Sequence, residues 1–310
     1  MKIVIAGGTG FLGRPLCDAL ARDGHDLVIL TRGAAGSPQA DRAPAARVRS
    51  VTWNPNGELG PWAAEIDGAG AVVNLAGESI AAKRWTAAQK ARILDSRLQA
   101  TRSLVAAIRG AASAPPVFVS GSAVGYYGPR GADAITESAP AGSDFLAQVC
   151  VQWEQEAMRA ASDRTRVVCI RTGIVLEKDG GALPQMLPPF RFGAGGPVGS
   201  GRQYWPWIHR DDWIALVQWA IATRAASGAI NATAPHPVTN AAFASALGRA
   251  MHRPAFMPAP GFALRLLLGE MADALLLSGQ NAVPDTATRA GFSFRYATVD
   301  DALRAIFARA

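Results

Sequence analysis

Lysine is scarce in this 310-residue chain. Only Lys2, Lys83, Lys90 and Lys178 contribute to its 31 basic residues, and the arginines that make up the rest are scattered. The net charge of +7 therefore forms no basic stripe interleaved with aromatics, which argues against a nucleic-acid partner. Cysteine is nearly as rare. Cys17, Cys150 and Cys169 are irregularly spaced, with no Cys-x-x-Cys and no nearby histidine pair. A disulfide framework and a zinc or other metal site are thereby excluded, and a reduced cytoplasm fits. Long apolar runs are missing too. The stretch Met1–Ala6 is too short for a signal peptide. The most lipid-like segment, 261–277, is interrupted by Arg265, Glu270 and Asp273, so it reads as an amphipathic helix and not as a membrane span. No membrane partner is expected. With 49% apolar and 18% charged residues, the chain can bury a sizeable core and is not disordered.

Up to about residue 179, short β-branched runs alternate with helical patterns, as parallel βαβ units do. Strands are expected at 2–6, 26–31, 47–53, 71–75, 117–120 and 166–171. Helices are expected from Phe11, from about Thr86 and from near Phe145. From Gly180 to His209 the chain is rich in Gly and Pro and reads as a functional loop or lid. Helical patterns follow at 211–223, 240–251, 261–276 and 299–308, with a strand near 229–232. The pattern predicts a Rossmann-like, doubly wound parallel sheet over 1–179 and a lid plus a smaller, mainly helical C-terminal, substrate-side domain over 180–310. Some later segments are expected to return to the first domain.

Gly7, Gly10 and Gly13 form a GxxGxxG pattern between the first strand and the first helix. In that context a side chain at Gly7 or Gly10 would hinder both the tight turn and the approach of backbone to a pyrophosphate. The helix N-terminus, opened by Phe11 and Leu12 after Thr9, then supplies N–H donors to the anion. The second strand ends in Thr31-Arg32 where an NAD-preferring site usually carries a carboxylate for the ribose 2′-hydroxyl. Arg32 can pair a 2′-phosphate and Thr31 can donate a hydroxyl, which selects NADP. The alternative is that Arg32 is a solvated charge beyond the strand.

Together with Asn74-Leu75-Ala76-Gly77 and Ser120-Gly121-Ser122-Ala123-Val124-Gly125-Tyr126-Tyr127-Gly128, these motifs resemble the extended short-chain dehydrogenase/reductases. More narrowly they resemble the sugar-nucleotide-epimerase-like group of the YfcH type, whose C-terminal domain has no assigned function. Further motifs support the likeness along nearly the whole chain: Asp95-Ser96-Arg97, Trp153-Glu154, 171–176, 199–203, Trp207-Ile208-His209 and 231–235. The resemblance implies that Leu75 and Ala76 line the adenosine and pyrophosphate path, that Arg97 reaches the cofactor from the long helix, and that Val175 lies beside the nicotinamide.

The resemblance also exposes a gap. Members of that superfamily move a proton with a Tyr-x-x-x-Lys pair, whose ammonium lowers the phenol's pKa. Four residues before Lys83, Lys90 and Lys178 stand Ser79, Thr86 and Ile174. Ser122 keeps the position of the family's substrate-binding hydroxyl, and Tyr126 or Tyr127 is left to supply a phenol. Ser122 and Tyr127 are therefore the candidate pair for orienting a substrate oxygen, with packing as the alternative. His209 reads as structural beside an Asp211 or Asp212 helix cap. The stretch Arg191, Arg202, Gln203, Tyr204, Trp205 and Trp207 suits a sugar or base with an anionic group, or ordinary packing. Two functions follow: an NADP-dependent, epimerase-like oxidoreductase acting on a polar small molecule such as a nucleotide-linked sugar, or a catalytically silent NADP-binding regulator.

Overall fold

Ile3 and Ile5 of β1 (Lys2–Ala6) pack into one apolar layer while Val4 and Ala6 pack into another. A strand apolar on both faces belongs in the middle of a parallel sheet. A computed structural model describes residues 1–33 and 47–308. It places β1 among β2 (Asp26–Thr31), β3 (Val48–Thr52), β4 (Ala71–Asn74), β5 (Val117–Ala123), β6 (Arg166–Thr172) and β7 (Gly228–Ala232). The order across the sheet is β3-β2-β1-β4-β5-β6-β7, with every pairing parallel. The chain reverses direction across the sheet between β1 and β4, so a crevice opens beyond their carboxyl ends.

Helices cover both faces. Leu16 and Leu20 of α1 (Gly13–Arg22) and Trp213, Leu216 and Val217 of α5 (Arg210–Ala222) join the Ile3/Ile5 layer. Leu104 and Ile108 of α2 (Ala87–Gly110) and Ala157 of α3 (Phe145–Met158) join the other. Thr86 and Asp144 start α2 and α3 by accepting from the amides of Gln89 (3.1 Å) and Ala147 (2.9 Å). The expected doubly wound sheet is present, and the C-terminal region is mainly helical.

Three expectations need correction. β5 runs three residues beyond Ser120, because Gly121, Ser122 and Ala123 pair with Ile170, Arg171 and Thr172 of β6. The 180–209 segment is not an open loop. It contains α4 (Leu183–Arg191) and the short strands Tyr204–Trp205 and Trp207–His209. Its helical period, Leu183, Leu187 and Phe190, was in the sequence but masked by Pro184, Pro188 and Pro189. These side chains meet Trp205, Trp207, Phe243 and Leu247 in a third core, where α6 (Asn240–Met251) packs against the last helix, Val299–Ala308. Finally, the single helix expected over 261–276 breaks at Gly269, whose φ of 64° favours glycine. That leaves α7 (Gly261–Leu268) as a short helix with no buried residue.

Candidate functional site

The glycine turn is built by contacts that leave no room for side chains. Gly7 has φ 81°, and a Cβ there would lie 2.6 Å from the Leu75 carbonyl carbon and 2.9 Å from the Ala76 amide nitrogen. A Cβ on Gly13 would collide with the Gly7 carbonyl oxygen, so α1 can start only this close to β1 with glycine at that position. Gly10 differs. A Cβ there would meet nothing but the Gly7 carbonyl oxygen, at 3.3 Å, and both Thr9 and Gly10 are exposed. Among the described residues, the side of Gly10 where a Cβ would stand is therefore open. The first turn of α1 has no side-chain cap and no acidic residue, so its positive end faces that space without a balancing carboxylate, although the Arg14 amide is already bound to the Gly10 carbonyl at 3.0 Å.

The other expected cofactor residues gather along the same edge. Leu75 and Ala76 border Gly7, and the Asn74 side chain holds their turn by accepting from the Ala76 amide at 3.1 Å and donating to Thr101 at 2.9 Å. Thr31 ends β2, next to β1, and Arg32 follows it, exposed. Arg97 donates to the carbonyls of Glu78 and Ile93, both at 2.9 Å, and stacks on Trp153, with burial pulling its pKa below the usual arginine range. Its first visible work is to brace the turn after β4. Val175 is buried, and its carbonyl would lie 3.3 Å from a Cβ at Gly181, which also rests on the Phe11 ring. The strand after β6, the Gly180-Gly181 turn and the glycine-turn end of α1 thus meet at one corner. The Arg210 guanidinium adds a cation over Phe11 at 5.6 Å, itself paired with Glu177 at 3.1 Å and with Asp179.

Ser122 and Tyr127 belong to a different environment. The buried Ser122 hydroxyl donates to Glu154 Oε1 at 2.6 Å. Glu154 is in turn held by Arg171 through two bonds of 2.8 Å. Arg171 also donates to the Tyr127 hydroxyl at 2.9 Å and lies 3.4 Å from the centre of the Tyr126 ring. Tyr127 is fully buried and donates to Asn231 Oδ1 at 2.7 Å. Its pKa is pushed up to about 12, chiefly by burial. The role expected for Tyr127 is therefore corrected: its hydroxyl is consumed inside the protein and presents nothing to a substrate. The face of α3 toward this corner carries Leu146 against Gly125, Cys150 against Ser122 and Ala123, and Glu154. Burial raises the Cys150 thiol to about 11. No ammonium stands beside Ser122 among these side chains.

Glu154, Arg171, Asn231 and Glu137 were not assigned roles from sequence, although Trp153-Glu154, the stretch from Arg171 and the stretch from Asn231 stood out as motifs. The signal was the β5–β6 register, which sets Ser122 opposite Arg171 and Asn231 of β7 beside it. Glu137 completes the unit by accepting from the amides of Asn231 (2.9 Å) and Thr286 (3.2 Å). The aromatics of the supposed lid are mostly core: Trp205 and Trp207 are buried, and Gln203 donates to the carbonyls of Val198 (3.0 Å) and Leu276 (2.8 Å). Arg191 and Arg202 are exposed. His209 is structural, but it supplies the cap itself: its Nδ1 accepts from the Asp211 amide at 3.0 Å. Asp212 instead binds the amides of Arg295 (2.8 Å) and Tyr296 (2.9 Å), tying the C-terminal segment to α5.

Residues 3–233 match the NAD dependent epimerase/dehydratase family. The chain belongs to that family. Residues 259–306 match a domain of unknown function, DUF1731. Epimerase family protein SDR39U1 homolog, chloroplastic, of Arabidopsis thaliana is 42% identical over 99% of this chain and 86% of its own length. The human epimerase family protein SDR39U1 (isoform 2), crystallised with NADPH, has a TM-score of 0.90 and 34% identity, covering 100% of both chains. UDP-glucuronic acid 4-epimerase of Bacillus cereus shares the fold alone, with a TM-score of 0.77 at 16% identity over 99% of this chain and 98% of that one.

Proposed function

We propose that this member of the epimerase/dehydratase family binds NADP(H) along the β1–β4 edge and performs oxidoreductase or epimerase-like chemistry on a polar, hydroxyl-bearing small molecule such as a nucleotide-linked sugar. The observation that carries the reading is the space above Gly10, bounded by the start of α1 with no side-chain cap and followed at the end of β2 by an exposed arginine that, among the described residues, pairs with no carboxylate. Thr9, Gly10, Phe11 and Leu12 would hold the pyrophosphate, Arg32 and Thr31 the 2′-phosphate, and Leu75, Ala76 and Val175 the walls. The 34% identical human relative with NADPH supports the choice of dinucleotide. When bound, the nicotinamide supplies a hydride donor or acceptor. The test is binding of NADPH and NADH to the wild type and to Arg32→Ala: a preference for NADPH that the substitution removes is expected, and failure to bind either dinucleotide would overturn the assignment.

Ser122 supplies the polar contact for the substrate. Its hydrogen is committed to the Glu154 carboxylate, an acceptor only, so Ser122 offers lone pairs and accepts from a hydroxyl. Arg171 holds the Glu154 carboxylate in place through two bonds of 2.8 Å. A silent NADP-binding regulator is the second reading, favoured by the buried Tyr127 and by the missing ammonium. Substrate-dependent change in NADPH absorbance separates the two: turnover that falls in Glu154→Gln with dinucleotide affinity retained is the enzyme's signature.

A further inference from the structure

α7 carries an apolar surface that the rest of the fold does not cover. Phe262, Leu266 and Leu267 are 74%, 81% and 71% exposed, while Leu264 and Leu268 are half-buried. Leu268 seats the helix against a small core that includes Trp85, Ile93 and Phe145. Further exposed apolar side chains lie on two paired segments, one of which leads directly into α7. The Met257 amide donates to the Gly195 carbonyl at 3.0 Å, and Val198 bridges Ala259. The segments 192–198 and 254–259 therefore run side by side, with Phe192, Phe256 and Met257 exposed on them. Monomeric surfaces rarely gather so many large apolar side chains in one region.

The charges around this surface all point one way. The nearby carboxylates are already neutralised, Asp273 by Arg265 at 2.8 Å and Glu270 by Lys90 at 2.6 Å. Arg191 precedes Phe192, Arg253 lies three residues before Phe256, and Arg84 rests on Gly269 at the end of α7 with Lys83 next to it. Among the described residues none of these four cations forms an ion pair. A second copy of the chain would bring the same unpaired cations face to face. The apolar side chains also stand out from a helix instead of lining a groove, which suits insertion into a soft, fluid layer.

We propose that α7, with Phe192, Phe256 and Met257, docks this protein on an anionic lipid surface. The contact is peripheral, because among the described residues no helix is long and apolar enough to cross a membrane. It departs from the expectation of no membrane partner, which rested on Arg265, Glu270 and Asp273 interrupting the 261–277 segment so that it reads as one amphipathic helix and not as a span. The break at Gly269 turns α7 outward instead.

Co-sedimentation of the full chain with phosphatidylcholine vesicles, with and without about 30% phosphatidylglycerol, tests this. Binding to the anionic vesicles is expected, reduced at least about tenfold by Phe262→Ser/Leu266→Ser/Leu267→Ser and reduced also by Arg191→Ser/Arg253→Ser or by high salt. Thermal melts should show each variant folded, since all five residues are exposed. The proposal is overturned by absence of binding to either vesicle, by equal binding to both, or by undiminished binding of the folded triple variant. It is also overturned by a dimer in light scattering that the triple variant abolishes, or by an acidic protein that competes for the patch while vesicles do not bind.

Discussion

Two corners of the same sheet edge have been put to opposite uses. At β1, β2 and β4 the backbone is left open: glycines clear a space, no side chain caps α1, and an arginine stands exposed at the rim. At β5, β6 and β7, Ser122, Glu154, Arg171, Tyr127 and Asn231 satisfy one another in a buried chain of hydrogen bonds. The first corner leaves the cofactor proposed above room to approach, whereas the second spends most of its polar atoms on rigidity.

The sharpest way to break the comparison is inside the buried chain. Arg171→Leu strands the Glu154 carboxylate and should cost about 3–5 kcal/mol in denaturant unfolding. A loss below about 1 kcal/mol would mean that the ion pair is not structural. At the open corner, Gly13→Ala and Gly10→Ala should separate fold from ligand. The first drives a methyl into the Gly7 carbonyl and should destabilise by about 3 kcal/mol or more, whereas the second should cost at most about 1 kcal/mol yet abolish NADPH binding measured by fluorescence. Equal effects of the two on stability would erase the distinction.

Tyr127→Phe is smaller, about 1–3 kcal/mol, because Asn231 and Arg171 each lose a partner. It also has a pH signature. The folded phenol titrates at about 12 against an ordinary value near 10, so its contribution is full below pH 10 and is lost as the pH rises through 10 to 12. Stability of the wild type should fall in that window, and the substitution should flatten the fall. An unchanged alkaline profile would place the Tyr127 hydroxyl in solvent. Arg32→Ala should be the mildest: stability within about 0.5 kcal/mol, with NADPH affinity falling at least about tenfold and NADH affinity unchanged.

Most of the open corner was legible. A glycine triplet between strand and helix states a backbone requirement, and backbone requirements are local, so Gly7, Gly10, Gly13, Thr31 and Arg32 could be named from spacing alone. Tyr127 could not. It sits in a motif beside Ser122, but which phenol faces the crevice depends on whether Arg171 and Asn231, 44 and 104 residues away, close over it. The helix hidden among prolines and the outward turn of α7 have a similar cause. Their apolar residues were visible, but the partner that would or would not cover them lies elsewhere in the chain.

The amino-acid sequence by itself determined the parallel sheet, the glycine turn and the missing lysine, because strand periodicity, glycine's freedom at φ 81° and a residue's absence are properties of short stretches. Tertiary structure alone decided that Ser122 leans on Glu154, that Tyr127 is sealed and that α7 lies uncovered. Burial and hydrogen-bond pairing are settled between segments far apart in the chain, where a single register shift changes which polar atoms meet.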